Sequence, residues 1–241
     1  MSKKLVIIPT YNEIENIQSI IEAVINLNTK FDILIIDDAS KDGTANVVKS
    51  MQAEYADRLF LIEREGKLGL GTAYIRGFQW ALENNYDYIN EMDADFSHSP
   101  LDLERMYNEL TSKNLDVVVG SRYCTGVNVV NWPMKRVLMS YFASKFVKSV
   151  TGMPINDATA GFVGYSSSFM KSIDLNKIKM KGYGFQIEMK YTAWKLGFSL
   201  GELSIIFTDR TKGTSKMSSS IFGEAFWGVL SLPFRKFKKI C

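Results

Sequence analysis

The sequence predicts an α/β protein: a mostly parallel sheet with helices on both faces, and one further amphipathic helix at the C-terminus. Three observations predict it. Apolar runs of strand length (LVIIPT, FDILIID, RLFLIE, LDVVVGSR) alternate with stretches of helical periodicity. These runs are apolar nearly throughout, as in strands covered on both faces. The polar clusters PTYNE, DDAS, EMDAD and GSRY all lie at the carboxyl ends of predicted strands. Right-handed crossovers gather such carboxyl ends on one edge, where open α/β sheets bind ligands.

After LVIIPT, the segment NEIENIQSIIEAVINLN spaces Ile14, Ile17, Ile21, Val24 and Ile25 along one helical face. Asn12 with Glu15 three residues on has the form of a capping box. FDILIID is the second strand, TANVVKSMQAEYA the second helix and RLFLIE the third strand. The glycine-rich turn GKLGLG leads into a helix through TAYIRGFQWALENN, where it lets the backbone approach a ligand or another helix. Its glycine spacing and its place after the third strand do not fit a dinucleotide fingerprint. Tyr86, Tyr88 and Ile89 mark a strand running into EMDADFSHSP, and Ser99-Pro100 opens the helix before LDVVVGSR. Past residue 125 the alternation loosens. PMKRVLMSYFASKFVKSV and GFQIEMKYTAWKLG read as helices, NDATAGFVGY as a loop into a strand, and FSLGELSIIFTDR as a strand. TKGTSKMSSS reads as a flexible loop. There is no internal repeat and no linker. Residues 1–218 are expected to form one domain, with 219–241 a basic amphipathic segment.

The 241 residues allow a substantial core, and 46% hydrophobic with 23% charged residues is ordinary for a globular chain. A net charge of +3 is too mild for a nucleic-acid binder. Cys124 and Cys241 are too far apart to suggest a disulfide framework or a zinc site. No window reaches the roughly 18 apolar residues of a membrane span, and the short MSKK start leaves no signal core, so a cytoplasmic location is expected.

The chemistry concentrates at strand ends. In extended chain, residues i and i+2 point the same way, so Asp93 and Asp95 can enter one cleft. A divalent cation relieves their repulsion, and Mg²⁺ is typically held by one or two carboxylates plus substrate phosphates. A solvated acidic turn is the bland alternative; the position among other polar strand ends weighs against it. His98, the only histidine, either lines this site or sits on a surface loop, and no triad or histidine pair can be built from it. Asp38 closes the second strand where nucleotide-binding folds place a ribose- or base-binding acid, with helix capping before Thr44 as the alternative. Arg122, Arg136, Arg210 and Lys216 outnumber what one pyrophosphate requires, pointing to a second phosphate. Arg136 and Ser140 share a helix face. Lys216 and Arg210 bracket a loop suited to be a lid.

PTYNE, DDASKDGT, GLGTAYIRGF, MDADFSHSP, GSRY, NDATAGF, GYGFQIEM and DRTKGTSK, in this order, resemble the dolichyl-phosphate mannosyltransferases (polyprenol monophosphomannose synthases). These are inverting family 2 glycosyltransferases with the Rossmann-like GT-A fold, and the resemblance runs from about residue 4 to 220. It implies that Pro9, Tyr11, Glu13, Ile36 and Asp38 line the nucleotide pocket, and that Asp93, Ala94 and Asp95 face metal and sugar diphosphate. It implies that Arg122, Arg210 and Lys216 contact the donor phosphates, that Arg122, Arg136 and Ser140 cradle a lipid phosphate, and that Asp95 and Arg122 are catalytic. Some members have glutamine two residues after the second aspartate; here Ser97 stands there. The implied donor is GDP-mannose, the acceptor a polyprenyl or dolichyl phosphate, and the cofactor Mg²⁺ or Mn²⁺. A UDP-glucose-dependent enzyme and a non-catalytic nucleotide-sugar-binding subunit are the alternatives. A processive synthase would need Q-x-x-R-W, whereas Gln186 opens QIEMK. Some members carry transmembrane helices after the catalytic domain. Here Ile221, Phe222, Ala225, Phe226, Val229 and Leu230 fall at helical spacing before the basic end Arg235, Lys236, Lys238 and Lys239. Such a helix suits the cytoplasmic face of an anionic membrane, with or without a small membrane-anchoring subunit; the alternative is a helix packed on the domain with a solvated tail.

Overall fold

The computed structural model describes residues 2–210 and 220–240. The elements are β1 (Lys4–Thr10), α1 (Ile17–Ile25), β2 (Asp32–Asp37), α2 (Thr44–Gln52), β3 (Leu59–Glu63), α3 (Leu70–Glu83), β4 (Tyr88–Glu91), α4 (Leu101–Ser112) and β5 (Val117–Ser121). They continue with β6 (Val129–Val130), α5 (Met134–Thr151), β7 (Val163–Ser166), α6 (Ser167–Lys171), α7 (Tyr183–Lys195), β8 (Leu200–Ser204), β9 (Phe207–Thr208) and α8 (Ser220–Ser231). Seven strands form one sheet in the order β3-β2-β1-β4-β7-β5-β8, parallel except for β7, which runs antiparallel to both neighbours. This is the α/β architecture expected, with the predicted FSLGELSIIFTDR strand divided into β8 and β9.

Why the early strands are apolar throughout is visible in β1. Leu5 and Ile7 enter a core shared with α3, α5 and α7, while Val6 and Ile8 enter a second core against α1, α2 and α4. The reversed β7 has a functional consequence. Its first residue, not its last, lies at the edge where the parallel strands end, so the preceding NDATAGF loop reaches the same cleft as PTYNE, DDAS and EMDAD. The short β6–β9 ribbon sits outside the main sheet and is parallel.

Two local expectations are corrected. The capping box at Asn12 is absent: Asn12 has φ 54°, its side chain accepts from Lys41 N at 2.8 Å, and α1 begins only at Ile17. Ile14 accordingly lies outside the helix and is exposed. Of the alternative, a packed helix with a solvated tail, the packed helix is found, and the tail exposes Lys236, Lys238 and Lys239 but is tied down at two points. Arg235 pairs with the buried Glu188 of α7 at 2.5 Å, and Ile240 N donates to Ser172 O at 2.9 Å. Helix α8 packs on α5 and α7 through the buried Val229.

The glycine-rich turn serves helix contact. A Cβ at Gly71 would lie 2.9 Å from Lys181 O and from Phe185, which fixes how closely α3 meets α7. At Gly120, next to the cleft, a Cβ would lie 2.6 Å from the Phe162 ring and 3.1 Å from Phe162 O. Gly120→Ala is expected to destabilise the fold by about 1–3 kcal/mol through overpacking. Urea denaturation checks this; wild-type stability would show that the β5–β7 contact is looser than described.

Candidate active site

The acid pair leaves β4, which is held between β1 and β7. The strand ends at Glu91 and the chain turns at 94–95, with Ala94 in the core and the two carboxylates close enough that the charge of Asp95 acts on Asp93. Phe96 takes φ 60°, and this turn brings Ser97 N back to Asp95 Oδ1 at 3.1 Å. Asp95 is buried and pairs with Arg210 at 2.8 Å. Asp93 reaches the cleft. Removal from water, then the charge of Asp95, push its pKa up to about 7. His98 is buried rather than on a surface loop. It stacks on Phe162 at 4.9 Å and meets Phe207 edge-on at 5.2 Å. Burial lowers its pKa to about 4, so it is neutral near pH 7 and packs beneath the acids.

Arg122, at the end of β5, is bound on three sides. Its Nε and Nη2 donate to the two oxygens of Asp157 at 2.6 Å each, and Nη2 also donates to Thr159 at 2.9 Å. Its backbone N donates to the same carboxylate at 3.0 Å. Burial alone would raise the pKa of Asp157, but the charge and hydrogen bonds of Arg122 outweigh it and hold the carboxyl below its ordinary value. Glu202 of β8 accepts from the backbone N of Asn156 and Asp157 at 3.0 and 3.1 Å, anchoring the loop that presents Asp157. The rings of Tyr123, Trp132 and Phe207 surround the guanidinium at 5.2–5.6 Å. Asp157 and Trp132 were not singled out from the sequence. The NDATAGF motif containing Asp157 was visible there, as was Arg122; that the two pair across 35 residues was not.

Arg136, in the first turn of α5, pairs with Asp209 at 2.8 Å and lies 4.1 Å from the Trp132 ring. Asp209 and Arg210 follow β9, so the β6–β9 ribbon brings the start of α5 next to the acid pair. Ser140 is half-buried one turn beyond Arg136. Lys216 and the TKGTSKMSS stretch lie outside the described residues.

On the other side, PTYNE and DDAS are laced together. Thr10 Oγ1 donates to Asp37 at 2.8 Å, Asn12 N to Ser40 Oγ at 2.8 Å, and Glu13 N to Thr44 Oγ1 at 2.9 Å. Asp38 pairs with Arg64 at 2.6 Å; burial raises its pKa against that pairing. Capping before α2 falls to Asp42, which accepts from Thr44 N and Oγ1. Pro9, Tyr11 and Glu13 are half-buried at the edge, with the Lys67 ammonium 5.0 Å from the Tyr11 ring centre. Ile36 lies wholly in the core, so its side chain offers the pocket no surface.

The residues fit a hard divalent cation that draws further ligands from substrate. Asp93 and Asp95 are the carboxylates, and the buried Ser97 hydroxyl has no partner among the described residues. Among the described residues no third His, Cys, Asp or Glu completes a metal-binding group with them, as suits an ion held partly by phosphate rather than by a protein cage. Beside the Arg136 end of the site, α5 exposes Met134, Leu138, Met139 and Phe142, and α8 exposes Phe226 and Trp227. Phe146 stacks on Phe226 at 5.2 Å and joins the two helices. Among the described residues no helix is long and apolar enough to cross a membrane.

The family model for glycosyl transferase family 2 matches residues 5–174. The chain is 40% identical over 232 residues to the polyprenol monophosphomannose synthase of Mycolicibacterium smegmatis, covering 94% of this chain and 87% of that one. It is 40% identical over 230 residues to the undecaprenyl-phosphate mannosyltransferase of Micrococcus luteus, covering 93% of each. Among solved structures, the glucosyl-3-phosphoglycerate synthase of Mycobacterium tuberculosis in complex with Mn²⁺, UDP and its product superposes with a TM-score of 0.70 at 16% identity, covering 96% of this chain and 80% of that one. That likeness is one of fold.

Removing one partner of a buried ion pair leaves an uncompensated charge, at a cost of about 3–5 kcal/mol. Asp157→Ala should therefore destabilise the protein by that order in urea denaturation. A loss below about 1 kcal/mol would mean that Arg122 is held by its aromatic surroundings instead.

Proposed function

This chain belongs to glycosyl transferase family 2, and from that premise we propose that it transfers mannose from GDP-mannose to a polyprenyl (dolichyl-type) monophosphate at a membrane surface. The products are polyprenyl-phosphate β-mannose and GDP. One observation carries the reading: the Arg122 and Arg136 guanidiniums gather on the Trp132 ring close to the acid pair, and the helix that carries Arg136 also exposes Met134, Leu138, Met139 and Phe142. A lipid whose only charge is a phosphate needs that arrangement. The names of the two 40%-identical relatives agree with it.

The acceptor phosphate is an anion at neutral pH, so its oxygen attacks the anomeric carbon without a general base. The new C–O bond forms as the bond to the diphosphate breaks, the electron pair leaves with GDP, and one in-line displacement inverts the centre. Asp93 and Asp95, with Ser97 beside them, would hold Mg²⁺ or Mn²⁺. Bound there, the ion would offset charge on the departing diphosphate.

Two of the ion pairs are of the kind that ligands exchange. Arg210 pairs with the Asp95 carboxylate, and a metal ion on Asp95 would leave Arg210 to the donor diphosphate. A lipid phosphate competes with Asp209 for Arg136 in the same way. Arg122, fixed on buried Asp157, remains as the preorganised positive wall. Membrane contact falls to α5 and α8, with Lys135 and Lys145 as exposed cations on α5.

The test is transfer by purified protein to a short polyprenyl phosphate, with GDP-mannose and UDP-glucose offered separately. Mannosyl product from GDP-mannose alone, abolished by EDTA, is expected; glucosyl product would overturn the donor. Asp95→Asn should lose at least about 100-fold in kcat, the scale of one lost charge stabiliser in such sites. A variant that keeps wild-type turnover would remove Asp95 from the reaction.

Metal binding should also depend on pH. Asp93 has its pKa raised to about 7, so at pH 6 it is mostly protonated and must lose the proton to bind metal. Mn²⁺ affinity is expected to rise from pH 6 to pH 8 with net proton release, read by calorimetry in buffers of different ionisation enthalpy. A pH-independent affinity would place the ion elsewhere.

A further inference from the structure

Trp132 is in contact with both arginines assigned to the acceptor phosphate, and its place is set by the chain. Asn131 before it takes φ 63°, and Pro133 after it confines Trp132 to extended backbone. β6 on one side and α5 on the other leave the ring little freedom, and Phe207 meets it at 5.1 Å. Around this ring sit the guanidiniums of Arg136, at 4.1 Å from the ring centre, and Arg122, at 5.4 Å. Cation–π attraction thus spaces two like charges that would otherwise repel. The indole Nε1 is buried and has no hydrogen-bond partner among the described residues. A buried donor without an acceptor is costly, and such orphans call for a ligand or function. This one lies on a ring that two cations flank.

We propose that Trp132 is a positioning residue for the acceptor phosphate: its ring holds Arg122 and Arg136 apart, and its indole N–H donates to a phosphate oxygen. The inference rests on the acceptor-phosphate reading of this cleft. A neutral donor has a use there. The phosphate must be held firmly, yet keep one oxygen nucleophilic, and a third contact from an N–H fixes its rotation without adding another positive charge beside the attacking oxygen.

The chain has four tryptophans, so its indole N–H signals are few enough to assign by elimination with Trp80→Phe, Trp194→Phe and Trp227→Phe. In ¹⁵N-labelled wild-type protein, a short polyprenyl monophosphate should move the Trp132 indole signal downfield, and GDP-mannose without acceptor should not. An unmoved signal overturns the proposal. This arm needs no change at Trp132 itself. Trp132→Phe keeps a ring for the guanidiniums and removes the N–H. It should weaken polyprenyl phosphate binding and raise its KM by about 10- to 100-fold, the worth of a hydrogen bond to a charged group, while the KM for nucleotide sugar stays unchanged. Trp132→Leu, which removes ring and donor, should lose more. Wild-type acceptor KM in Trp132→Phe would also overturn the proposal. Arg136→Ala separates the two readings. If it loses acceptor binding while Trp132→Phe keeps it, only the role of Trp132 falls; if both variants bind acceptor as wild type does, the cradle itself is misplaced.

Discussion

Arginines cannot be crowded around a half-desolvated cleft unless each has a counter-charge, and the rest of this site depends on how that constraint is met. Around the carboxyl edge of the sheet, Arg64, Arg122, Arg136 and Arg210 pair with Asp38, Asp157, Asp209 and Asp95 respectively. The protein is thereby poised for anions before any arrives. What differs among the pairs is how firmly the carboxylate is held. Asp157 is fully buried, clamped through its backbone by Glu202, and bound by three nitrogens of one residue. The arginines paired with Asp209 and with the buried Asp95 are partly exposed, and these are the two pairs proposed to exchange. Fixed pairs set the geometry; exchangeable pairs supply the response.

The reversed strand β7 connects this electrostatic arrangement to the fold. Were it parallel, the loop carrying Asp157 would lie at the opposite edge of the sheet, and Arg122 would end its strand without a partner. The β6–β9 ribbon does the corresponding work on the acceptor side, holding Arg136, Trp132 and Asp209 beside the acid pair. Beyond them the apolar surface of α5 and α8 begins.

Much of this was legible in the chain. Unbroken apolar strands such as LVIIPT and FDILIID implied two covered faces, and the polar clusters after them located the functional edge. The acid pair, Arg122, Arg136 and Arg210 were all identifiable by their place at element ends. What was hidden depended on tertiary pairing. Four residues of β7 carry no signal of direction, and nothing in GSRY announces that Asp157 will neutralise its arginine. His98 read as loop because Phe162 and Phe207, which bury it, arrive from distant segments. Asn12 followed by Glu15 imitates a capping box, but a positive φ at Asn12 commits its side chain to the DDAS loop instead. The anchoring of Arg235 within the basic C-terminus was hidden because the buried Glu188 that binds it lies on another helix.

The central claim is that carboxylates stand in for substrate charges until ligands displace them. A crystal structure with Mn²⁺ and GDP tests it most directly. The account predicts the ion on Asp93 and Asp95, Arg210 moved from Asp95 onto the diphosphate, and the Arg122–Asp157 pair unchanged. Arg210 still on Asp95 with the ion bound elsewhere, or Asp157 parted from Arg122, would contradict it.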